Sequence, residues 1–388
     1  MQEPIEIIPQ AMHVEPSAIE GSRVELQLLT TLRCNLRCSY CSLGVGEVLG
    51  SQTRVAYGID ELAAFARRHL PGKEVYVTFY GGEPTLNRPM MSEVMQHFPH
   101  WRFQLQTNGT LIDDLPMWML ERFSNILVSV DGGEAITDRY RGRGIYRQVM
   151  KNLRLVRPHV AGPITARVTW SDPATTFEEL DALLADESPF DYLHWQFVAD
   201  ERYCADAMAR RREVLARLVE RFFADPARVY RMVPIMGIVR NKLWPGRARE
   251  LYAGRTQCRV SSHLLNVIPD GRIYACPDML YDETMQTGSI QDNWLRRSPL
   301  QRSQAMPCTG CEAFGWCRTN CMKNLHLAYV KRDERYRTNV TDPICELVRF
   351  LGREIDRHRP QEWFSRLPLA ARRELTDCEV YEYVEIIP

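Results

Sequence analysis

The sequence predicts an α/β chain built around a partial (β/α)6 TIM-like barrel, on three observations. At least six short strand-like runs alternate with helix-like runs from residue 24 to about residue 200. Alternation at this spacing means βα units and a parallel sheet. Gly-containing loops close several of the strand runs, at the ends where such folds place their ligands.

The elements follow in order. "VELQLLT" (24–30) reads as the first strand, and "IDELAAFARRHLPG" as a helix with Asp60 as N-cap and Pro71-Gly72 as its stop. "EVYVTFYGGEP" is a strand running into a glycine loop. "RFQLQTNGT", "NILVSVDGG", "ITARVTW" and "YLHWQFV" are further strands, with helices such as "YRQVMKNLRLVRP" and "TFEELDALLAD" between them. The chain divides into an N-terminal extension (1–23), the partial barrel (24–204), a charged helical connector (205–257), a cysteine- and turn-rich unit (258–345) and a helix with a tail (346–388). "PDGRIYACPD" in the fourth unit predicts a hairpin. The ends echo each other, "IEIIP" at 5–9 and "VEIIP" at 384–388, which reads as two short edge strands.

Bulk properties narrow the classes. A chain of 388 residues calls for two or three packed units. Lys plus Arg and Asp plus Glu are both 49, so no nucleic-acid partner is forecast by net charge. No apolar run approaches the roughly 18 residues of a membrane span. The acidic, Pro-interrupted start lacks the features of a signal peptide. A cytoplasmic location is expected. There, 12 cysteines predict metal or cluster ligation rather than disulfides.

The spacing of those cysteines is specific. Cys34, Cys38 and Cys41 form C-x3-C-x2-C just after the first strand. A zinc ribbon would want a C-x2-C pair and a second pair nearby. The next histidine, His69, falls inside a predicted helix. Three thiolates suit a 4Fe–4S cluster with one iron left open. This loop resembles the signature of the radical S-adenosylmethionine superfamily, and the aromatic Tyr40 fits it. The resemblance implies that S-adenosylmethionine chelates the open iron and is cleaved to a 5′-deoxyadenosyl radical, which abstracts a hydrogen atom. It implies further that "GGEP" (Gly81, Gly82, Glu83) binds the methionine amino group. "TNGT", with Asn108, and "SVDG", with Ser129, end the next two strands of the binding site. Ser129 and Arg141 would hold the carboxylate, with Arg139 as a rival to Arg141.

The second field reads C-x12-G-x4-C (Cys258, Gly271, Cys276), then C-x2-C-x5-C-x3-C (Cys308, Cys311, Cys317, Cys321), then Cys345. This resembles the SPASM domain, which carries two auxiliary iron–sulfur clusters. Three 4Fe–4S clusters in all are implied. The resemblance assigns Cys308, Cys311, Cys317 and Cys345 to the distal auxiliary cluster, and Cys258, Cys276 and Cys321 to the proximal one. The proximal set is one cysteine short, and residues 248–257 offer none. Cys204 is the only upstream candidate and reads more simply as a plain thiol, as does Cys378.

The resemblance implies an oxidoreductase acting on a peptide or protein side chain, foremost a cross-link in a ribosomally made peptide. Alternatives are formylglycine formation as in sulfatase maturases, a small-molecule radical dehydrogenase, or a zinc-bearing scaffold without enzymatic activity. Sulfatase maturases carry an Asp immediately after the second SPASM cysteine. Here Pro277 intervenes and the Asp is Asp278, and a one-residue slip in extended chain points a side chain the other way. Only an altered turn at Pro277 would restore the aim of Asp278 as a catalytic base. A flavodoxin or ferredoxin donor is implied. Because the first strand starts near residue 24, leader recognition is expected from a separate protein or from the barrel itself.

Overall fold

The computed structural model describes residues 19, 21–41, 54–199, 203–246, 258–260, 263–280, 282–317 and 321–376. Six strands, β1 (Arg23–Thr31), β2 (Glu74–Gly81), β3 (Arg102–Thr107), β4 (Phe123–Val130), β5 (Ile164–Trp170) and β6 (Tyr192–Phe197), pair in sequence order and all in parallel. The strand runs named from sequence are these six. β7 (Leu264–Val267) adds in parallel to the other side of β1. β8 (Arg272–Tyr274), β9 (Gln286–Ser289) and β10 (Trp294–Leu295) extend that edge antiparallel. The ten strands form one open sheet with β6 and β10 at its ends, so the barrel is partial.

Helices α1 (Ile59–His69), α2 (Arg88–His97), α3 (Met117–Leu120), α4 (Glu134–Arg141), α5 (Ile145–Val156) and α6 (Phe177–Asp181) lie within the strand-to-strand connections. α7 (Ala205–Phe223) and α8 (Val233–Leu243) follow β6. α5 shows why such segments fold as helices: Val149, Leu153 and Val156 recur at helical spacing and are buried. The predicted N-cap of α1 is corrected by two residues. Gly58 is the cap, its N–H donates to the Glu61 carboxylate at 2.6 Å, and Asp60 falls in the first turn. An acidic residue there favours the helix dipole in either place.

Both faces of the parallel sheet are buried. One carries apolar residues such as Leu28, Phe79, Leu105 and Val128. The other carries polar ones: Asn266, Gln27, Thr78, Gln104 and Asn125 pair in register across β7, β1, β2, β3 and β4, each no more than 1% exposed. The sequence alternation therefore marks two buried faces of different chemistry, not one dry face and one wet one.

The predicted hairpin is β7–β8, and Gly271 sits in its turn at φ +88°. A Cβ there would lie 2.7 Å from Gln291 Oε1, so the glycine within the cysteine spacing has a backbone cause. The segment read as a helix with a tail is three helices, Asp342–Arg357, Pro360–Arg366 and Leu369–Thr376. The second anchors Trp363 against Phe222 and Phe223 of α7, with ring centroids 5.4 and 4.8 Å apart. "IEIIP", "VEIIP" and Cys378 lie outside the described residues. Among the described residues, no helix is long and apolar enough to cross a membrane.

Candidate functional site

The loop after β1 is held by the loop after β2. Gly82 N–H donates to Thr31 O at 2.9 Å, and Glu83 N–H donates to Arg33 O at 2.8 Å. A Cβ on Gly81 would stand 2.2 Å from Thr31 O, and one on Gly82 would stand 2.1 Å from Arg33 O. The two glycines thus admit the backbone of the cysteine loop itself. Cys34 Sγ accepts from Leu36 N–H at 3.4 Å and from Asn108 Nδ2 at 3.7 Å. Burial pushes the Cys34 thiol up to about 11 and raises that of Cys38. Thiols so placed ionise readily only against a metal.

A cavity of about 200 Å³ opens beside these cysteines at the C-terminal ends of the strands. Tyr40, Gly81, Gly82, Asn108, Ser129 and Arg141 line it together with Cys34, Cys38 and Cys41. Arg141 is buried and grips Asp131 with two parallel bonds, Nε to Oδ2 at 2.8 Å and Nη2 to Oδ1 at 2.9 Å. The Tyr40 hydroxyl donates to the same carboxylate, at 2.8 Å to Oδ1. Arg139 instead pairs with Asp172 outside the cavity, its side chain 59% exposed. Glu83 is away from the cavity wall. It is fully buried and accepts from Thr85 N and Oγ1, Thr107 Oγ1 and Asn108 N, at 3.1, 2.6, 2.7 and 2.7 Å. Burial raises its pKa, and those bonds oppose the rise.

Among the lining residues that sequence reasoning missed are Tyr80, Arg167, Gln196 and Lys323. Arg167 is buried beside Ser129 and His194 in the sheet register and donates to Gln196 Oε1. The available signal was a charged residue inside an otherwise apolar strand run, since Arg is almost never buried without a purpose.

A second cavity, of about 160 Å³, lies against the cysteine-rich unit and is lined by Cys258, Cys276, Cys321 and Cys317. Burial pushes Cys276 well up and Cys321 to about 11, and the charges of Cys258, Cys276 and Cys321 act on one another. Cys345 is raised by burial to about 12 and feels Cys308 and Cys311. The two cavities share one wall: Gln196, Phe197, Ala199, Asp278 and Lys323 line both. The one-residue slip does not turn Asp278 away, because Pro277–Met279 is a single 3-10 turn that aims it at the shared wall. Lys323 Nζ stands 3.5 Å from Asp278 Oδ2, with the lysine side chain 7% exposed. Cys204 is exposed at the N-cap of α7 and lines neither cavity.

The all-cysteine character of these groups is consistent with iron–sulfur clusters. Among the described residues, no three His, Cys, Asp or Glu side chains converge closely enough to hold one metal ion. A zinc site needs four ligands on one tetrahedron. A cluster spreads its thiolates over separate irons, and an all-cysteine donor set is its usual one.

Comparison with known proteins gives one family. Residues 28–184 match the Radical SAM superfamily. Mycofactocin maturase MftC of Mycobacterium ulcerans is 24% identical over 309 residues, covering 75% of this chain and 81% of that one. The cysteine-type anaerobic sulfatase-maturating enzyme of Clostridium novyi is 28% identical over 141 residues, 32% of this chain and 37% of the relative. In structure, the chain is similar to anSMEcpe with bound AdoMet and Cp18Cys peptide, at TM-score 0.63 and 20% identity, covering 86% of this chain and 99% of that one. It is also similar to SuiB of Streptococcus suis bound to precursor peptide SuiA, at TM-score 0.55 and 15% identity, covering 79% and 74%. At these identities the likeness in structure is one of fold.

Proposed function

From a chain whose residues 28–184 are the radical SAM domain of an S-adenosylmethionine-dependent enzyme, we propose an oxidoreductase that modifies a peptide side chain. The observation that carries this reading is the wall shared by the two cysteine-lined cavities. Cys34, Cys38 and Cys41 would hold a 4Fe–4S cluster, which with bound S-adenosylmethionine would supply a 5′-deoxyadenosyl radical for hydrogen abstraction. The chain's own part is positional. Ser129 and Arg141 line the cavity and would hold the S-adenosylmethionine carboxylate there, and Asn108 would orient Cys34 through its bond to Sγ. A side chain entering at Gln196 and Phe197 would have the first cavity on one side and Cys276 and Cys321 on the other. Oxidative chemistry needs that arrangement, because the substrate gives up an electron as well as a hydrogen atom. Cys258, Cys276 and Cys321, and separately Cys308, Cys311, Cys317 and Cys345, are proposed to hold the auxiliary clusters that take it.

Asp278 is proposed as the base that takes the accompanying proton, with Lys323 as its counter-ion. The relatives support a peptide substrate, since solved structures of two proteins of this fold hold peptides. A cross-link is the foremost product, and formylglycine is retained because Asp278 reaches the shared wall. Electrons for the first cluster would come from a flavodoxin or ferredoxin.

The test is anaerobic reconstitution with iron and sulfide analysis, then incubation with S-adenosylmethionine, reductant and peptides encoded beside the gene. About twelve irons fit three 4Fe–4S clusters. Mass spectrometry separates the products, since a cross-link removes two hydrogen atoms while formylglycine from cysteine loses sulfur. Changing Cys34, Cys38 and Cys41 together to Ala should abolish 5′-deoxyadenosine formation. Persistence of that product would overturn the reading.

A further inference from the structure

The second cavity holds a buried histidine that the proposed chemistry does not use. His194 on β6 is 7% exposed and lines the cavity with Cys258, Cys276 and Cys321. Its Nδ1 is buried with no hydrogen-bond partner. A buried polar atom in that state is destabilising unless something absent from the protein chain satisfies it.

Other polar groups facing this cavity have partners. Asp278 pairs with Lys323 at 3.5 Å. Asn241 Nδ2 donates to Trp316 O at 2.8 Å. Asn324 Oδ1 accepts from Tyr336 OH at 2.8 Å. Gln196 Oε1 accepts from Arg167. Among the described residues, and apart from Cys317, no further thiolate lines this cavity with the cysteine trio. Residues 248–257 contain no cysteine, and Cys204 is exposed elsewhere. Cys317 reaches the same cavity, but the SPASM resemblance assigns it to the distal cluster with Cys308, Cys311 and Cys345.

We propose that the His194 imidazole is the fourth protein ligand of the iron–sulfur cluster held by Cys258, Cys276 and Cys321. This rests on the reading of that trio as cluster ligands. A neutral imidazole in place of a thiolate removes one negative charge from the cluster and its ligands. Histidine ligation raises cluster potentials in the known cases. The site would therefore accept an electron more readily than an all-cysteine site would.

The experiment uses the full chain with Cys34, Cys38 and Cys41 changed to Ala, so that the auxiliary clusters alone give signals. After anaerobic reconstitution, iron is counted and the reduced protein is examined by pulsed EPR for strongly coupled ¹⁴N. The expected result is iron in the protein and a nitrogen coupling that disappears in His194→Ala and in His194→Cys. His194→Cys keeps the full iron content, which separates loss of a ligand from loss of the fold. Iron present with no strong nitrogen coupling, or a coupling unchanged in both variants, overturns the proposal and leaves the cysteine assignment standing. Failure of the trio to hold iron at all, shown by equal iron content when Cys258, Cys276 and Cys321 are also changed to Ala, overturns the assignment and the inference together.

Discussion

Arg141 binds Asp131 through two edges of its guanidinium, Nε to Oδ2 at 2.8 Å and Nη2 to Oδ1 at 2.9 Å, in a pair almost sealed from water. Those bonds fix the guanidinium plane over Tyr40, whose ring centroid is 5.6 Å away. Nη1 remains for an anion in the cavity. A lysine has the charge but not the fork. Arg141→Lys should weaken S-adenosylmethionine binding by tenfold or more, about 1.4 kcal/mol. Asp131→Asn strands a buried cation and should cost roughly 3–5 kcal/mol of stability. Calorimetric titration and urea unfolding read the two effects, and wild-type affinity in Arg141→Lys would remove Arg141 from the binding site.

Glu83 gives a contrary expectation to the resemblance that singled it out. Its carboxylate receives four hydrogen bonds from Thr85, Thr107 and Asn108 and does not reach the cavity. Bonds to a charged acceptor contribute about 1.5–3 kcal/mol each. Glu83→Gln turns one acceptor into a donor facing donors, so stability should fall by roughly 3 kcal/mol. Affinity for S-adenosylmethionine in the folded fraction should change by less than tenfold, about 1.4 kcal/mol. A larger loss of affinity at unchanged stability would return Glu83 to direct ligand contact.

Gly82 is a steric requirement of cluster assembly. Its missing Cβ would sit 2.1 Å from Arg33 O and 2.8 Å from Leu32 O, both backbone atoms just before Cys34. Backbone cannot swing aside as a long side chain can. Gly82→Ala should displace the cysteine loop and lower the iron bound by the first site, while the auxiliary sites keep theirs. Iron analysis on the variant and on the Cys34, Cys38, Cys41 triple variant should give similar deficits.

The strand runs were legible in sequence because they recur with their helices; the cysteines were legible as a spacing, and their division between clusters rests on the resemblance. Arg167, Gln196 and Lys323 were not legible, because nothing in a single strand or turn says which distant element faces it. Asp278 sits between these cases. Its offset from Cys276 argued against the site, and the turn at Pro277 reversed that argument. The cap was placed two residues too far along, at Asp60, because an Asp is the stronger capping signal. The chain uses Gly58 instead, with the Glu61 carboxylate accepting from its N–H.

Glu25 makes stability depend on pH. It lies on the polar inner face of the sheet, 3% exposed, with Oε1 accepting from Thr78 Oγ1 and Oε2 buried without a partner. Burial raises its pKa from 4.5 to about 7, against the opposing pull of the Thr78 bond and the Arg259 charge. The sign follows from proton counting. Below about pH 4.5 the folded and unfolded chains both hold the proton, and Glu25 adds no slope. Between about 4.5 and 7 the folded chain keeps a proton that the unfolded chain has lost, so rising pH favours unfolding. Above about 7 the penalty levels off at roughly 3 kcal/mol, from about 1.4 kcal/mol per unit of pKa. Glu25→Gln has no proton to lose. Its stability relative to the parent should therefore climb from pH 5 to pH 8 by up to about 3 kcal/mol, measured by urea unfolding of the two chains in the same metal state. A difference that stays flat across that range would mean that Glu25 is ionised in the fold, with its second oxygen satisfied by water among the inner-face amides.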